Sequence, residues 1–123
     1  MRDVQNMIRE FLDARGWRDR ANPASYAKSI SIEAAELLEL FQWREPSAAE
    51  IAADPQLLQK IRHELADVLI YCLDLADILD LDAEAIIREK MEHNGKKYPV
   101  DAIKADPANY QKIKTKYRED KER

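Results

Sequence analysis

The chain has 123 residues, of which 46% are apolar and 36% are charged, and its formal net charge is -4. This size predicts one domain with a buried core, and the acidic balance gives no indication that the protein binds a nucleic acid polymer. No apolar run reaches the ~20 residues of a membrane span and no signal-peptide pattern opens the chain, so we expect a cytoplasmic protein without a membrane partner. The single cysteine, Cys72, lies in an apolar run and is expected in the core.

The first two predicted helices are bounded by glycine and proline signals. Gly16 follows the first periodic apolar segment, and a glycine at this point is the usual helix terminator. Asn22 and Pro23 then form a helix start, with the asparagine as cap and the proline in the first turn. The second helix is therefore expected to run from about Ala24 to Arg44, where a Glu-Pro pair stops it.

The third predicted helix begins with the same kind of signal. Asp54 and Pro55 start it, and the apolar pattern continues to about Leu79. Before it, the segment S-A-A-E is expected to cap one short turn. Residues 61–81 are apolar on nearly every side, more than a four-helix monomer can cover, which predicts a homo-oligomer.

The remaining chain predicts one more core helix and a tail. The fourth helix is expected after Asp80 or Asp82, to end at about Asn94 and to be closed by Gly95. No segment alternates with the period of a strand, so the fold class is all-α, with a four-helix bundle-like core.

We expect this helical core domain to occupy residues 1–99. Residues 100–123 would form a short helical or partly disordered tail that packs on the core or on a partner subunit, with a frayed end. The Asp106-Pro107 pair is a further helix start within that tail.

Two motifs place acidic residues on the apolar stripes of the second and third helices. Glu33 and Glu36 lie in S-I-E-A-A-E-L-L, and Glu64 and Asp67 lie in R-H-E-L-A-D-V-L at the same spacing. At about 100° per residue, each pair lies at the edge of a core-facing stripe. Four carboxylates facing one another would repel and lose hydration, so a cation must compensate them. Oxygen ligands favour a hard ion, Mg²⁺ or Mn²⁺.

Other interpretations of these acids stay open. One acidic pair on a helix is commonly a surface feature, although two pairs in neighbouring apolar stripes favour a metal site. A ferritin-like di-iron bundle would need Glu-x-x-His motifs, and His63 and His93 are not at those positions and are expected on the surface. A non-catalytic metal-binding helical interaction protein and a metal-storage bundle remain alternatives to an enzyme.

The motifs resemble those of a known family. E-A-A-E-L-L-E-L-F-Q-W and E-L-A-D-V-L-I-Y, with 27 residues between Glu36 and Glu64, are similar to the E-x-x-E…E-x-x-D signature of the MazG-like, all-α nucleoside triphosphate pyrophosphohydrolases. Within that family the chain is most similar to the dCTP pyrophosphatase branch, over roughly residues 7–99, with R-G-W and K-M-E-H-N-G-K-K-Y-P as further landmarks. The resemblance implies Mg²⁺-dependent hydrolysis of a (deoxy)nucleoside triphosphate to monophosphate and pyrophosphate, nucleotide-pool sanitising, and a homodimer or homotetramer.

The resemblance also implies roles for individual residues. The four motif carboxylates would hold the metal, two tryptophans would face the base, and residues after the third helix would face the phosphates and sugar. The implied substrate-binding residues are Trp17, Trp43, Tyr71, Lys90, Asn94, Lys97 and Tyr98. Without the resemblance, these tryptophans could be core residues and the lysines could complement a helix dipole.

The expected general base is a carboxylate not fully committed to metal. We favour Glu36, with Glu33 beside it, because the offset of Glu36 directs it toward Trp43 on the helical wheel. The dCTP-preferring animal enzymes carry a histidine where this chain has Ile8, so strict cytosine preference is not expected.

Overall fold

The computed structural model describes residues 1–20 and 22–122, and these residues form seven α-helices and no β-strand. The helices are α1 (Arg2–Ala14), α2 (Pro23–Glu39), α3 (Ala48–Ala52), α4 (Pro55–Ile78), α5 (Ala83–Lys97), α6 (Val100–Ala105) and α7 (Asn109–Glu122). The predicted all-α class is confirmed, and the four predicted core helices are present as α1, α2, α4 and α5. None of the helices in the described ranges is long and apolar enough to span a bilayer.

The chain divides into two compact units, Met1–Ala83 and Glu84–Arg123. In the first unit α4 is the central helix: α2 packs along it, α1 packs against it, and the short α3 lies against it as well. The second unit contains most of α5 together with α6 and α7. The packing of the C-terminal tail on the core or on a partner stays a prediction.

The end of α1 shows how the predicted terminator acts. Gly16 has a φ of 65°, a left-handed conformation that glycine adopts without steric cost. This conformation lets the Gly16 N–H donate to the Asp13 carbonyl at 3.1 Å and the Trp17 N–H donate to the Leu12 carbonyl at 3.1 Å. The pair of bonds is a Schellman motif, which satisfies carbonyls that the helix end would leave unpaired.

The predicted helix starts are confirmed by side-chain caps. Asn22 and Asp54 each accept a hydrogen bond from the backbone N–H three residues further on, at 2.9 Å and 3.1 Å. At α3, Ser47 accepts from the Glu50 N–H while the Glu50 carboxylate accepts from the Ser47 N–H, which is a capping box. Local sequence chemistry therefore determines where α2, α3 and α4 begin.

The predicted end of α2 is wrong by several residues. The helix ends at Glu39 rather than at Arg44. After it, the Leu40 N–H donates to Leu37 at 3.2 Å and the Phe41 N–H donates to Leu38 at 2.9 Å. These bonds reach back three residues instead of four, so the backbone tightens and leaves the α-helical path well before the proline.

The predicted end of α5 is also wrong. The helix continues through Gly95 to Lys97, because Gly95 does not take the positive φ that a glycine terminator needs. The stop comes from Pro99 instead, since a proline disfavours helical geometry in the residue before it. The short α6, which the sequence did not predict, follows directly, and α7 begins at Asn109 after the predicted Asp-Pro pair.

The burial of individual side chains confirms some expectations and corrects one. Ile8 and Leu12 of α1, and Leu57 of α4, are buried, and both histidines are exposed as predicted. Cys72, predicted to be in the core, is exposed. The physical reason is that Cys72 lies on the helical stripe of Leu65 and Leu69, which are 45% and 55% exposed and so face away from the neighbouring helices.

A polar network ties α1 to the C-terminal half of α4. The buried carboxylate of Asp77 accepts from Arg9 Nε at 2.7 Å and forms an ion pair with Arg18 Nε at 3.0 Å. Gln5, also buried, donates to the Leu81 carbonyl at 3.3 Å and accepts from the Ala83 N–H at 3.2 Å. The sequence pattern did not predict this network.

Candidate active site

The two acidic motifs meet where α2 packs along α4. One carboxylate oxygen each from Glu33 of α2 and from Glu64 and Asp67 of α4 lie within 4.8 Å of one another. Glu33 and Glu64 are half-buried, whereas Asp67 is exposed. The three-residue spacing puts both acids of a motif on one side of its helix, and the packing of α2 along α4 then brings the two sides together.

Glu36 belongs to the same cluster, although it is exposed and is not one of the three closest groups. The hydrogen bond that protonated Glu33 donates to the Glu36 carboxylate is the main cause that raises the pKa of Glu33, followed by burial. Burial is the main cause that raises the pKa of Glu64, followed by the contact with Glu36. The Glu36 side chain therefore touches both half-buried acids, and all four motif carboxylates share one electrostatic environment.

Two oxygens of the cluster are left without partners. Glu33 Oε2 and Glu64 Oε2 are buried and have no hydrogen-bond partner among the described residues. A buried carboxylate oxygen without a partner is costly, so the cluster is completed by a cation or by protons. Its donors are all carboxylate oxygens, the ligand type that hard divalent ions prefer. The residues present therefore fit a Mg²⁺-type ion.

Tyr71 lies beside this cluster, one turn after Asp67 on α4. It is half-buried, and its ring centroid is 6.4 Å from that of Tyr26 on α2. Burial raises the pKa of the Tyr71 hydroxyl, and the negative charge of Glu33 raises it further. The structure thus places Tyr71 beside the acids, and its part in substrate binding stays a prediction.

Trp43 lines a cleft next to the cluster. Its side chain is 87% exposed, and the cleft of about 390 Å³ also contains Glu39 and Lys60. A neighbouring cleft of about 490 Å³ shares Lys60 and contains Glu64. Because α2 ends before Trp43, the helical-wheel argument that pointed Glu36 toward this tryptophan is wrong. The turn after α2, not the helix, puts Trp43 at the cleft.

Glu39 and Lys60 lie beside the cluster, and the sequence analysis did not predict either of them as a site residue. Glu39 adds to the negative field that raises the pKa of Glu64, and Lys60 precedes Glu64 by one helical turn. The four-residue spacing could have predicted that Lys60 lies near Glu64, because residues four apart share a helix face.

Trp17 has different surroundings. It follows α1 and is 54% exposed, and its ring packs edge-on against Phe11 with centroids 5.9 Å apart. The two tryptophans that the resemblance paired therefore have different neighbours in the structure. A shared role in base binding stays a prediction.

The remaining predicted substrate residues lie in the second unit. Lys90, Asn94 and Lys97 recur on one side of α5, and Tyr98 follows the end of the helix. The Lys97 ammonium lies 5.1 Å from the centre of the Tyr98 ring. Their part in substrate binding stays a prediction.

Comparison with known proteins identifies the family of this chain. The MazG-like family model matches residues 28–118, which include the four motif carboxylates and Trp43 but not Trp17. A solved structure of a pyrophosphatase from Archaeoglobus fulgidus is 42% identical, with a TM-score of 0.71 over 80% of this chain and 92% of that chain.

Two curated relatives are similar over most of this chain. dCTP pyrophosphatase 1 of Rattus norvegicus is 30% identical over 111 residues, which are 89% of this chain and 65% of the rat protein. The Homo sapiens protein of the same name is 28% identical over 116 residues, 92% of this chain and 67% of that protein. The chain thus spans about 65% of the length of the rat relative. Because the family match covers most of the sequence and contains both acidic motifs, the chain belongs to the MazG-like family.

Proposed function

We propose that the protein hydrolyses a (deoxy)nucleoside triphosphate to the monophosphate and pyrophosphate, with Mg²⁺ or Mn²⁺ as cofactor, and so removes dCTP or related dNTPs from the nucleotide pool. The observation that carries the proposal is the convergence of Glu33, Glu64 and Asp67 within 4.8 Å, with two buried carboxylate oxygens unpartnered. Support comes from relatives that are named pyrophosphatases, over most of this chain.

The metal would be held by the four motif carboxylates. Glu33, Glu64 and Asp67 are the closest set, and Glu36 contacts two of them from the exposed side. A bound Mg²⁺ would neutralise triphosphate oxygens and lower the pKa of a coordinated water. The protein holds the four carboxylates in place through the packing of α2 on α4.

Glu36 is the proposed general base. It is exposed, so water can reach its carboxylate, and it stands outside the tightest group of three acids. A carboxylate oxygen of Glu36 accepts the proton of the attacking water, and the hydrogen-bonding contact with Glu33 allows that acid to share the proton. Lys60, one turn before Glu64, supplies positive charge toward the phosphates.

The nucleoside would be bound beside this centre. The exposed ring of Trp43 offers a stacking surface in its cleft, and stacking accepts any base. Ile8, which occupies the position of a histidine in dCTP-preferring members, is only 8% exposed and offers the base no polar group. We therefore propose broader base acceptance than strict cytosine selectivity, with Trp17, Tyr71, Lys90, Asn94, Lys97 and Tyr98 as further substrate-binding residues.

A homo-oligomer is also proposed. Leu65, Leu69 and Ile70 form an apolar surface on α4, with side chains 45%, 55% and 41% exposed. Apolar residues that adjoin in this way favour an interface. Light scattering at micromolar concentration should give at least twice the mass of one chain, and a monomeric mass would contradict the proposal.

Pyrophosphate release from a panel of dNTPs and NTPs tests the activity. With Mg²⁺ we expect equimolar monophosphate and pyrophosphate from several nucleotides, and no release in excess EDTA. Metal binding without any release would favour the alternative of a non-catalytic metal-binding helical protein. Full turnover in EDTA would rule out the cofactor assignment.

A further inference from the structure

A groove between α5 and α7 gathers positive charge in the second unit. Its volume is about 490 Å³, and it is lined by Lys90 and Lys97 of α5, by Lys114, Arg118 and Lys121 of α7, and by one acid, Asp120. The whole chain carries a net charge of -4. The groove is therefore a local concentration of the sign opposite to that of the protein.

The five cations of this groove are not neutralised by carboxylates. None of them has a carboxylate oxygen within 4.0 Å among the residues that the structure describes. Basic residues elsewhere on α5 behave differently: Arg88 pairs with Glu84 at 3.0 Å, and Lys96 pairs with Glu92 at 3.5 Å. On α5, the basic residues outside the groove are therefore paired with acids, whereas Lys90 and Lys97 inside it can bind an anion.

Aromatic rings hold two of the cations in place. The Lys97 ammonium lies 4.7 Å from the Tyr117 ring centre and 5.1 Å from that of Tyr98. The Lys114 ammonium lies 5.5 Å from the Tyr110 ring centre and donates to the Tyr110 hydroxyl at 3.4 Å. A ring face stabilises a cation without cancelling its charge. Both ammonium groups are therefore positioned and remain able to bind an anion.

The spacing of the cations suits linked phosphate groups. Lys90 and Lys97 are two helical turns apart, which is about 10 Å along α5, and Lys114, Arg118 and Lys121 follow the same repeat on α7. Like charges one turn apart destabilise a helix, so an anion in the groove would relieve that repulsion. A long nucleic acid strand fits less well, because the groove spans only two turns and the rest of the chain is acidic.

We infer that this groove binds a compound with linked phosphate groups, and that α7 contributes Lys114 and Arg118 as binding residues. The E-x-x-E…E-x-x-D motifs do not contain these residues. Since Lys90 and Lys97 are among the proposed substrate residues, identifying the ligand as the triphosphate of the substrate rests on the proposed function. Binding of linked phosphates in itself does not.

Calorimetry with sodium pyrophosphate and tripolyphosphate, in EDTA at low salt, tests the inference without turnover. We expect tripolyphosphate to bind more tightly than orthophosphate. The Lys114→Gln/Arg118→Gln variant should weaken tripolyphosphate binding by about tenfold or more. The matched control is Lys112→Gln/Lys116→Gln, which removes the same charge from exposed positions of α7 outside the groove; it should change binding by less than about twofold.

Three results would overturn the inference: no binding of either polyphosphate, an equal loss in both double variants, or tighter binding of a single-stranded oligonucleotide than of tripolyphosphate. A wild-type enzyme that releases no pyrophosphate would refute the proposed function and leave the binding result intact. An unchanged KM for nucleotides in Lys114→Gln/Arg118→Gln, with polyphosphate binding lost, would overturn the assignment of the groove to the substrate triphosphate.

Discussion

Helix α4 carries two acidic pairs at the same three-residue spacing, Glu64 with Asp67 and Asp74 with Asp77. The two pairs differ in their burial and in the charge of their neighbours. The second pair is the more deeply buried, with Asp74 and Asp77 only 2% and 3% exposed. The Asp77 carboxylate accepts a hydrogen bond from Arg9 and forms an ion pair with Arg18. The first pair faces further carboxylates from α2.

The difference shows that spacing alone does not identify a functional site. Where the chain supplies its own cations, as at Asp77, an acidic pair joins helices and stabilises the fold. Where it supplies more acids, as at Glu64, the charge must be balanced from outside. Asp74 lies between these cases: its Oδ1 has no partner in the described structure, and burial, followed by the charge of Asp77, raises its pKa to about 6.

The largest expected effect comes from neutralising the first cluster. Glu33→Gln or Glu64→Gln should lower pyrophosphate release by about 10³-fold or more, because each removes a ligand charge. The helical fold should persist, since removing one of four like charges relieves repulsion. Nucleotide hydrolysis and circular dichroism measure the two effects, with the exposed Glu10→Gln as control. Near-normal rates in both variants would show that the site lies elsewhere.

Neutralising the second pair at Asp77 should act on stability instead. Asp77→Asn leaves Arg9 and Arg18 without their anion and should lower the free energy of unfolding by about 2–3 kcal/mol, a figure reduced because both arginines are partly exposed. Urea denaturation measures the change. If Asp77→Asn keeps the stability of the wild type but loses hydrolysis, the claim that the second pair stabilises the fold while the first pair serves catalysis is wrong.

The unpartnered Asp74 should make stability depend on pH. Its pKa is about 6 in the folded protein against an ordinary 3.8, so the folded state binds this proton more tightly. The associated stability is present below about pH 4 and is lost as pH rises to about 6. Asp74→Asn should therefore be more stable than wild type at pH 7, on the order of 2 kcal/mol, and equal to it near pH 4. Melting temperatures at both pH values check this; a constant difference would contradict the assignment.

The smallest effect is expected at the cleft beside the first cluster. Trp43→Ala should raise KM for every nucleotide by about tenfold, since stacking contributes ~1–3 kcal/mol per base, with a smaller change in kcat. Trp43→Phe keeps an aromatic face and should recover most of the affinity. An unchanged KM in the alanine variant would exclude stacking, and a wild-type protein that accepts dCTP alone would refute the proposed breadth.

Features set by neighbouring residues could be predicted from the sequence. The caps at Asn22, Ser47 and Asp54, and the glycine terminator at Gly16, depend on chemistry within three or four residues, and all are present. The two acidic motifs were visible for the same reason. Helix periodicity was enough to place each pair on one side of its helix.

Features set by distant contacts could not be predicted. The partners of Asp77 come from α1 and from the turn after it, about 60 residues away or more, so nothing near Asp77 in sequence distinguishes it from Asp67. The exposure of Cys72 depends on which face of α4 its neighbours cover. The row of cations on α7 could not be predicted to line a groove, because its spacing is also typical of a solvated helix face. Only the structure shows that α5 lies opposite this row.

Binding of Mn²⁺ to the nucleotide-free protein, followed by electron paramagnetic resonance, tests the central contrast most directly. We predict that the wild type and Asp74→Asn bind Mn²⁺ with similar affinity, whereas Glu33→Gln/Glu64→Gln binds it at least about tenfold more weakly. Equal binding by wild type and Glu33→Gln/Glu64→Gln, or loss of binding in Asp74→Asn, would contradict the account.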